Sequence, residues 1–284
     1  MILVTGATGN IGSEVVRQLA AKGQKVRAFV RNPDKAAALK GPNVEIAKGE
    51  LGKPDTIRPA MQGVDHVFLL SAGLETIAQE EKNVVDEAKK AGVKHIVKLS
   101  VMGADMEPGI ALGKAHRASE KNVEASGITW TFLRPSGFMS NLFNNADSIK
   151  SQGKWYAPYG DGKMGVIDPA DIAAVAVKAL TERGHEGKAY LLTGSEALSQ
   201  AEMAQKLGAA VGKKIEYVNV PPEAAADSML KMGMSKSLVD ALGEFSGVVR
   251  QGFAAAVSPD TERVLGRKPK SFDQWAKENA AAFK

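Results

Sequence analysis

Gly6, Gly9 and Gly12 stand three residues apart in VTGATGNIG, between the apolar run Ile2–Val4 and the helical pattern of Ile11, Val15, Val16 and Leu19. A strand, a glycine turn and a helix in that order can hold a pyrophosphate. The first glycine permits the sharp turn, the second lets backbone amides approach the phosphates, and the third lets helix and strand pack closely. The helix N-terminus adds unpaired N–H groups and the positive end of its dipole. The next apolar run ends in FVRNPDK, with Arg31 where a dinucleotide site reads the ribose. An acid there bonds a 2′-hydroxyl, whereas arginine forks onto a 2′-phosphate, and Lys35 one turn later adds a point charge. These residues point to NADP(H), with NAD(H) as the second option.

A second group of chemistry-bearing residues lies in GKAHRASEK (113–121), where His116 and Glu120 are four apart on one helix face. A histidine suits acid work near neutrality, as a proton donor or as a hydrogen bond to a substrate oxygen. The competing reading is a pair that only fixes the helix. Phe138, Met139, Asn141, Trp155 and Tyr156 are candidates for a pocket that takes an aromatic substrate, with core packing as the alternative. Met229, Met232 and Met234 either close such a pocket or pack the C-terminal part. No cysteine is present, and the four histidines show no metal-ligand spacing, so neither thiolate nor metal chemistry is expected.

The elements that must position these groups follow from period and punctuation. Apolar strands at 2–4, 25–30, 44–49, 66–71, 95–100 and 129–135 alternate with helical segments, among them 75–91 and 115–126. Such alternation predicts an α/β fold with a doubly wound parallel sheet, the Rossmann arrangement. Beyond Pro135 the rhythm loosens, and later helices and strands suggest a smaller α/β part on the substrate side. The expected division is 1–150 for the dinucleotide-binding domain and 151–284 for the smaller one, with 165–195 partly packing back on the Rossmann core. The net charge is +5 over 284 residues, but lysines are scattered among acids, so nucleic acid is not an expected partner. No apolar run reaches the length of a membrane span, and Met1 leads directly into the first strand. A cytoplasmic monomer or homodimer is the default expectation.

Read together, MILVTGATGNIGSEVV, AFVRNPDKA, AGVKHIVKLS, SGITWTFLRPSGFMSNL, IDPADIAAVAV and GHEGKAYLLTG resemble the NmrA-like atypical short-chain dehydrogenases, over nearly the whole length. The likeness is strongest to bacterial azoreductase, triphenylmethane reductase and type 2 quinone oxidoreductase members. It implies that Gly6, Thr8, Gly9, Asn10 and Ile11 wrap the pyrophosphate and that Glu50 and Leu51 meet adenine. It also implies that Ser71, Ala72 and Gly73 pass the nicotinamide ribose, and that Pro135, Ser136 and Gly137 lie beside the ring. Standard relatives carry a tyrosine and a lysine where this chain has His116 and Glu120, so a tyrosine relay is absent. Ser100 matches the usual place of a catalytic serine, with a strand-end cap as its alternative. The expected activity is NADPH-dependent hydride transfer, without flavin, to quinone-like or azo-type aromatic acceptors. The alternative is an NmrA-type sensor that binds NAD(P) and does no chemistry.

Overall fold

The computed structural model describes all residues, 1–284. Short apolar runs closed by turns give β1 (Ile2–Val4), β2 (Val26–Val30), β3 (Val44–Lys48), β4 (His66–Leu69), β5 (His95–Leu99) and β6 (Thr129–Pro135). Amphipathic patterns between them give α1 (Asn10–Ala21), α2 (Pro54–Ile57), α3 (Ile77–Lys90) and α4 (Ala111–Ser126). There follow α5 (Ala146–Gln152), β7 (Lys154–Ala157), β8 (Lys163–Met164), α6 (Pro169–Thr181) and β9 (Lys188–Leu192). The chain then forms β10 (Leu198–Ser199), α7 (Gln200–Val211), β11 (Glu216–Asn219), α8 (Pro222–Lys231), α9 (Lys236–Arg250), α10 (Asp260–Leu265) and α11 (Phe272–Glu278).

Two units emerge: Met1–Pro135 with Pro169–Leu191, and Ser136–Asp168 with Leu192–Lys284. The sequence suggested a boundary near residue 150, with 165–195 partly packing back on the first part. The observed first unit stops at Pro135 and regains α6 and most of β9, because the apolar face of α6 packs on α1 and on β4 to β6.

The first unit carries one seven-stranded sheet in the order β3-β2-β1-β4-β5-β6-β9, as a doubly wound α/β fold requires. Registers from β3 through β6 are parallel, with Val4 opposite both Ala28 and Phe68. Strands buried on both faces sit at the centre: every residue of β1 and β5 is buried, while β3 at the edge is mostly half-exposed. Leu3, Val67, Leu69 and Ile96 from the sheet pack against Val84, Val85 and Ala88 of α3 and Val123 of α4. Each such side chain contributes on the order of 1.5–3 kcal/mol when fully buried. The strand order reverses at β1 and β4, which places a crevice at their carboxyl ends.

In the second unit β11 runs parallel to β7, and β10 is antiparallel to β8. Ser199 and Glu202 form a reciprocal capping box that starts α7. Phe143, Phe272, Trp275 and Phe283 build an aromatic cluster, with Phe143 stacked on Phe283 at 5.5 Å. Helix α8 packs along α9 and buries none of its own residues.

Candidate active site

The glycine turn follows β1 directly. Thr5, fully buried, ties the ends of two strands together: its hydroxyl donates to the Leu70 carbonyl at 2.8 Å and accepts from the Leu70 N–H at 2.7 Å. Gly6 has φ +60°, and a Cβ there would lie 2.8 Å from Leu70 Cγ, so both conformation and space demand glycine. Gly12 lets α1 approach the turn, since its Cβ would come within 2.2 Å of the Gly6 carbonyl oxygen. At Gly9 the nearest neighbour of such a carbon is that same oxygen, at 3.4 Å. Gly9 caps α1 without any side-chain hydrogen bond, and no acid stands in the first turn. Thr8, Gly9 and Asn10 are exposed, while Ile11 is buried beneath them. The turn therefore offers free helix-terminal N–H groups over an open face, which fits a pyrophosphate.

Arg31 emerges exposed at the end of β2 and forms no salt bridge. Lys35 lies exposed in the 3-10 turn Pro33–Leu39, which Asn32 caps by accepting from the Asp34 N–H. Glu50 pairs with Lys53 at 2.9 Å, and its pKa is lowered first by that bond, with Arg31 adding to the effect. Leu51 packs half-buried against the core, held by Asn83 donating to its carbonyl at 2.9 Å. Beyond β4, Ser71 is buried, Gly73 half-buried and Ala72 exposed.

The deepest chemistry lies under α4. Lys98 of β5 and Glu81 of α3 are both fully buried and pair at 2.6 Å. Lys98 Nζ also donates to the Leu99 carbonyl at 3.1 Å and stands 3.4 Å from His116 Nδ1. Glu81 accepts further from Ser119 Oγ, from the Ser71 N–H at 3.2 Å and from Ser71 Oγ at 3.4 Å. His116 itself is half-buried. Burial, then the Lys98 charge, pushes its pKa from 6.5 down to about 3.

The expected partnership of His116 with Glu120 is not formed. Glu120 accepts from Ser100 Oγ at 2.7 Å, from Arg134 Nε and Nη2 at 2.9 and 2.8 Å, and from Arg117 Nη1 at 3.0 Å. Burial alone would raise its pKa, but Arg134, Ser100 and Arg117 outweigh that and hold it below the usual carboxylate range. Arg134 also reaches Asp105 and Arg117 reaches Glu124. Ser100 is buried with its hydroxyl hydrogen directed at Glu120, so that hydrogen is not offered to a substrate carbonyl. Pro135 closes β6, its carbonyl accepting from Met102 N–H at 2.9 Å.

The remaining expected residues belong to the second unit. Ser136 is buried, its N–H on the Leu192 carbonyl at 3.0 Å and its hydroxyl on the Gly165 carbonyl. Gly137 accepts from Ile167 N–H at 2.9 Å, and Phe138 bridges Ile167. The five candidate pocket residues do not converge on one surface. Met139 and Trp155 are core side chains, Asn141 and Tyr156 are exposed, and Phe138 is half-buried. Trp155 and Tyr156 adjoin on β7 and so face opposite ways. Of the methionines, Met232 is exposed while Met229 and Met234 are half-buried. A surface cavity of about 530 Å³ opens beside Asp161, Lys163, Asn219 and Arg250 and holds none of the candidate pocket residues.

Sequence reasoning passed over Lys98, Glu81, Ser119, Arg134, Arg117 and Asp105. The available signal was a lysine inside the apolar run HIVKLS together with a glutamate on the inner face of α3.

The NmrA-like family pattern matches residues 1–276. An NAD(P)H azoreductase of Xenophilus azovorans is 42% identical over 283 residues, which is 100% of this chain and 99% of that protein. A (4-alkanoyl-5-oxo-2,5-dihydrofuran-3-yl)methyl phosphate reductase of Streptomyces griseus is 37% identical, covering 100% of this chain and 99% of its own. Among solved structures, an NADPH-dependent quinone oxidoreductase of Escherichia coli complexed with NADPH superposes with a TM-score of 0.88 at 31% identity, covering 98% of this chain and 99% of that one.

Proposed function

This chain belongs to the NmrA-like family, and we propose that it is an NADPH-dependent oxidoreductase that passes hydride directly to a quinone-like or azo-type aromatic acceptor. The observation that carries the reading is the uncapped, acid-free start of α1 behind a turn whose second glycine is exposed to solvent. Its backbone donors suit a diphosphate, and Arg31, with no carboxylate bound to it, suits a 2′-phosphate. Bound there, the reduced nicotinamide supplies two electrons and one proton as hydride. The azo, quinone and unsaturated-lactone acceptors named for the relatives share an electron-poor conjugated system.

The protein's own contribution is to bind, orient and stabilise charge. Gly6, Thr8, Gly9, Asn10 and Ile11 hold the pyrophosphate, with Lys35 supporting Arg31 and with Glu50 and Leu51 flanking adenine. Ser71, Ala72, Gly73, Pro135, Ser136 and Gly137 complete the cofactor assignment. Glu81 grips Ser71 through both its N–H and its hydroxyl and so fixes the loop after β4. With a pKa near 3, His116 is neutral at physiological pH and serves as a hydrogen-bond donor rather than a proton source. Acceptors of this kind take their proton from water, so the main gain is proximity.

The test is acceptor-dependent loss of NADPH absorbance in the near ultraviolet, with purified protein and a panel of quinones and azo dyes. Oxidation with at least one acceptor class is expected. Tight NADPH binding without oxidation of any acceptor would instead mark the chain as a cofactor sensor.

A further inference from the structure

A buried ammonium has three hydrogens and no water to receive them. At Lys98 the three acceptors are Glu81 Oε2 at 2.6 Å, the Leu99 carbonyl at 3.1 Å and His116 Nδ1 at 3.4 Å. The first two are oxygens that accept in any state. The third accepts only if His116 keeps a lone pair on Nδ1, which places the ring hydrogen on Nε2. The longest bond of the three is therefore the one that carries information.

We propose that Lys98 is a positioning residue for this reaction: its third N–H locks His116 as the neutral Nε2–H tautomer, which donates a hydrogen bond to the acceptor atom that gains electron density. The catalytic part rests on the reductase reading above, whereas the tautomer does not. Glu81 fixes Lys98 from α3, and Ser119, on the helix that carries His116, also bonds Glu81. The neighbouring charged groups Glu120 and Arg117 on α4, with Arg134 on β6 and Asp105, pair among themselves, and Lys98 is the one charge that shifts His116. They satisfy one another and leave the tautomer to Lys98. A proton added at Nδ1 would face the ammonium donor directly and set two positive charges 3.4 Å apart. Burial acts in the same direction, and the pKa falls to about 3.

The step balances without an acid from the protein. Hydride leaves the nicotinamide carbon with the electron pair of its C–H bond and forms a new bond on the acceptor. The nicotinamide is oxidised and the acceptor is reduced to an anion, which takes a proton from water. His116 retains its hydrogen throughout and stabilises that anion, as a fixed donor in a partly buried site does.

Long-range proton–nitrogen NMR of the 15N-labelled wild-type protein reads the tautomer of His116 directly, assigned with His116→Gln. The expected spectrum shows Nε2–H and no titration between about pH 5 and 8. The double variant Lys98→Met/Glu81→Gln removes the pair without stranding a buried charge. It should lose kcat by roughly tenfold to a hundredfold, and the pKa of His116 should rise once the Lys98 charge is gone, with burial still holding it below its ordinary value. An Nδ1–H wild-type spectrum, titration of His116 in that window, or a double variant with unchanged kcat and pH profile overturns the proposal while the reductase reading stands. A wild-type protein that reduces no acceptor removes the reductase reading and the catalytic role together.

Discussion

Substituting Gly9 and Gly12 separately should divide binding from folding. An alanine Cβ at position 12 would lie 2.2 Å from the Gly6 carbonyl oxygen, 2.7 Å from its carbon and 3.0 Å from Ala7 Cα. An ordinary C···O approach is roughly 3.3 Å or more, so α1 and the turn must separate by about 1 Å. Both obstacles are backbone, and no rotamer can relieve them. Overpacking of this kind costs on the order of 1–3 kcal/mol, which outweighs the ~1 kcal/mol that alanine gains over glycine inside a helix. A net loss of up to ~2 kcal/mol lowers the thermal midpoint by up to about 4 °C in a chain of this size.

Gly9 differs in both respects. Its φ of −84° suits any residue, and the nearest obstacle to a Cβ stands at 3.4 Å. Gly9→Ala should therefore cost less than about 1 kcal/mol in the free protein. Yet its methyl enters the space assigned to the pyrophosphate, and affinity for NADPH should fall on the order of a hundredfold, ~2.7 kcal/mol. Urea or thermal unfolding of the free protein and calorimetric titration with NADPH measure the two quantities. Wild-type affinity in Gly9→Ala would show that the diphosphate lies elsewhere and refute the assignment.

Further tests address the other groups. Arg31→Ala should weaken NADPH by on the order of tenfold and leave NADH nearly untouched, and equal losses for both would show that Arg31 reads no 2′-phosphate. His95 is 7% exposed, and burial, with His66 beside it, pushes its pKa from 6.5 down to about 4. Protonation thus favours the unfolded chain: the contribution of His95 is complete above pH 6.5 and is lost as pH falls towards 4, a total of ~3 kcal/mol. Urea midpoints for His95→Gln across that range should fall less steeply than those of the wild type, and parallel curves would exclude the assignment. Arg134→Met strips Glu120 of its bidentate partner and should cost roughly 3–5 kcal/mol, visible in chemical denaturation, whereas Arg134→Met/Glu120→Gln should recover much of it.

The glycine turn was readable because its spacing is local: Gly6, Gly9 and Gly12 sit within seven residues, and Gly12 answers to the Gly6 carbonyl in the same turn, although Gly6 itself answers to Leu70 across the sheet. The strands of the first unit were readable because burial on both faces leaves continuous apolar runs. Helix α4 begins at Ala111, earlier than the pattern suggested, because Ile110 caps it without a side-chain bond and Gly113 looks like a breaker. That glycine is required by the Gly103 carbonyl, 2.9 Å from where its Cβ would stand. The charge network was not readable. Lys98 is paired by a residue seventeen positions earlier on a different element, and Glu120 by partners just past β5, on β6 and on its own helix. Spacing on one helix face shows which residues are neighbours but not which cross-element partner outcompetes them. Likewise β7 and β8 are too short to mark themselves, and β7 is defined by a partner strand some sixty residues later.

Helix α8 places no fully buried side chain in the interior and packs chiefly along α9. Releasing it forfeits little shielding from water, so its opening should cost far less than global unfolding. Residues 222–231 should thus be the first helical segment to exchange amide hydrogens and the first nicked by a protease, with the dinucleotide-binding sheet still intact.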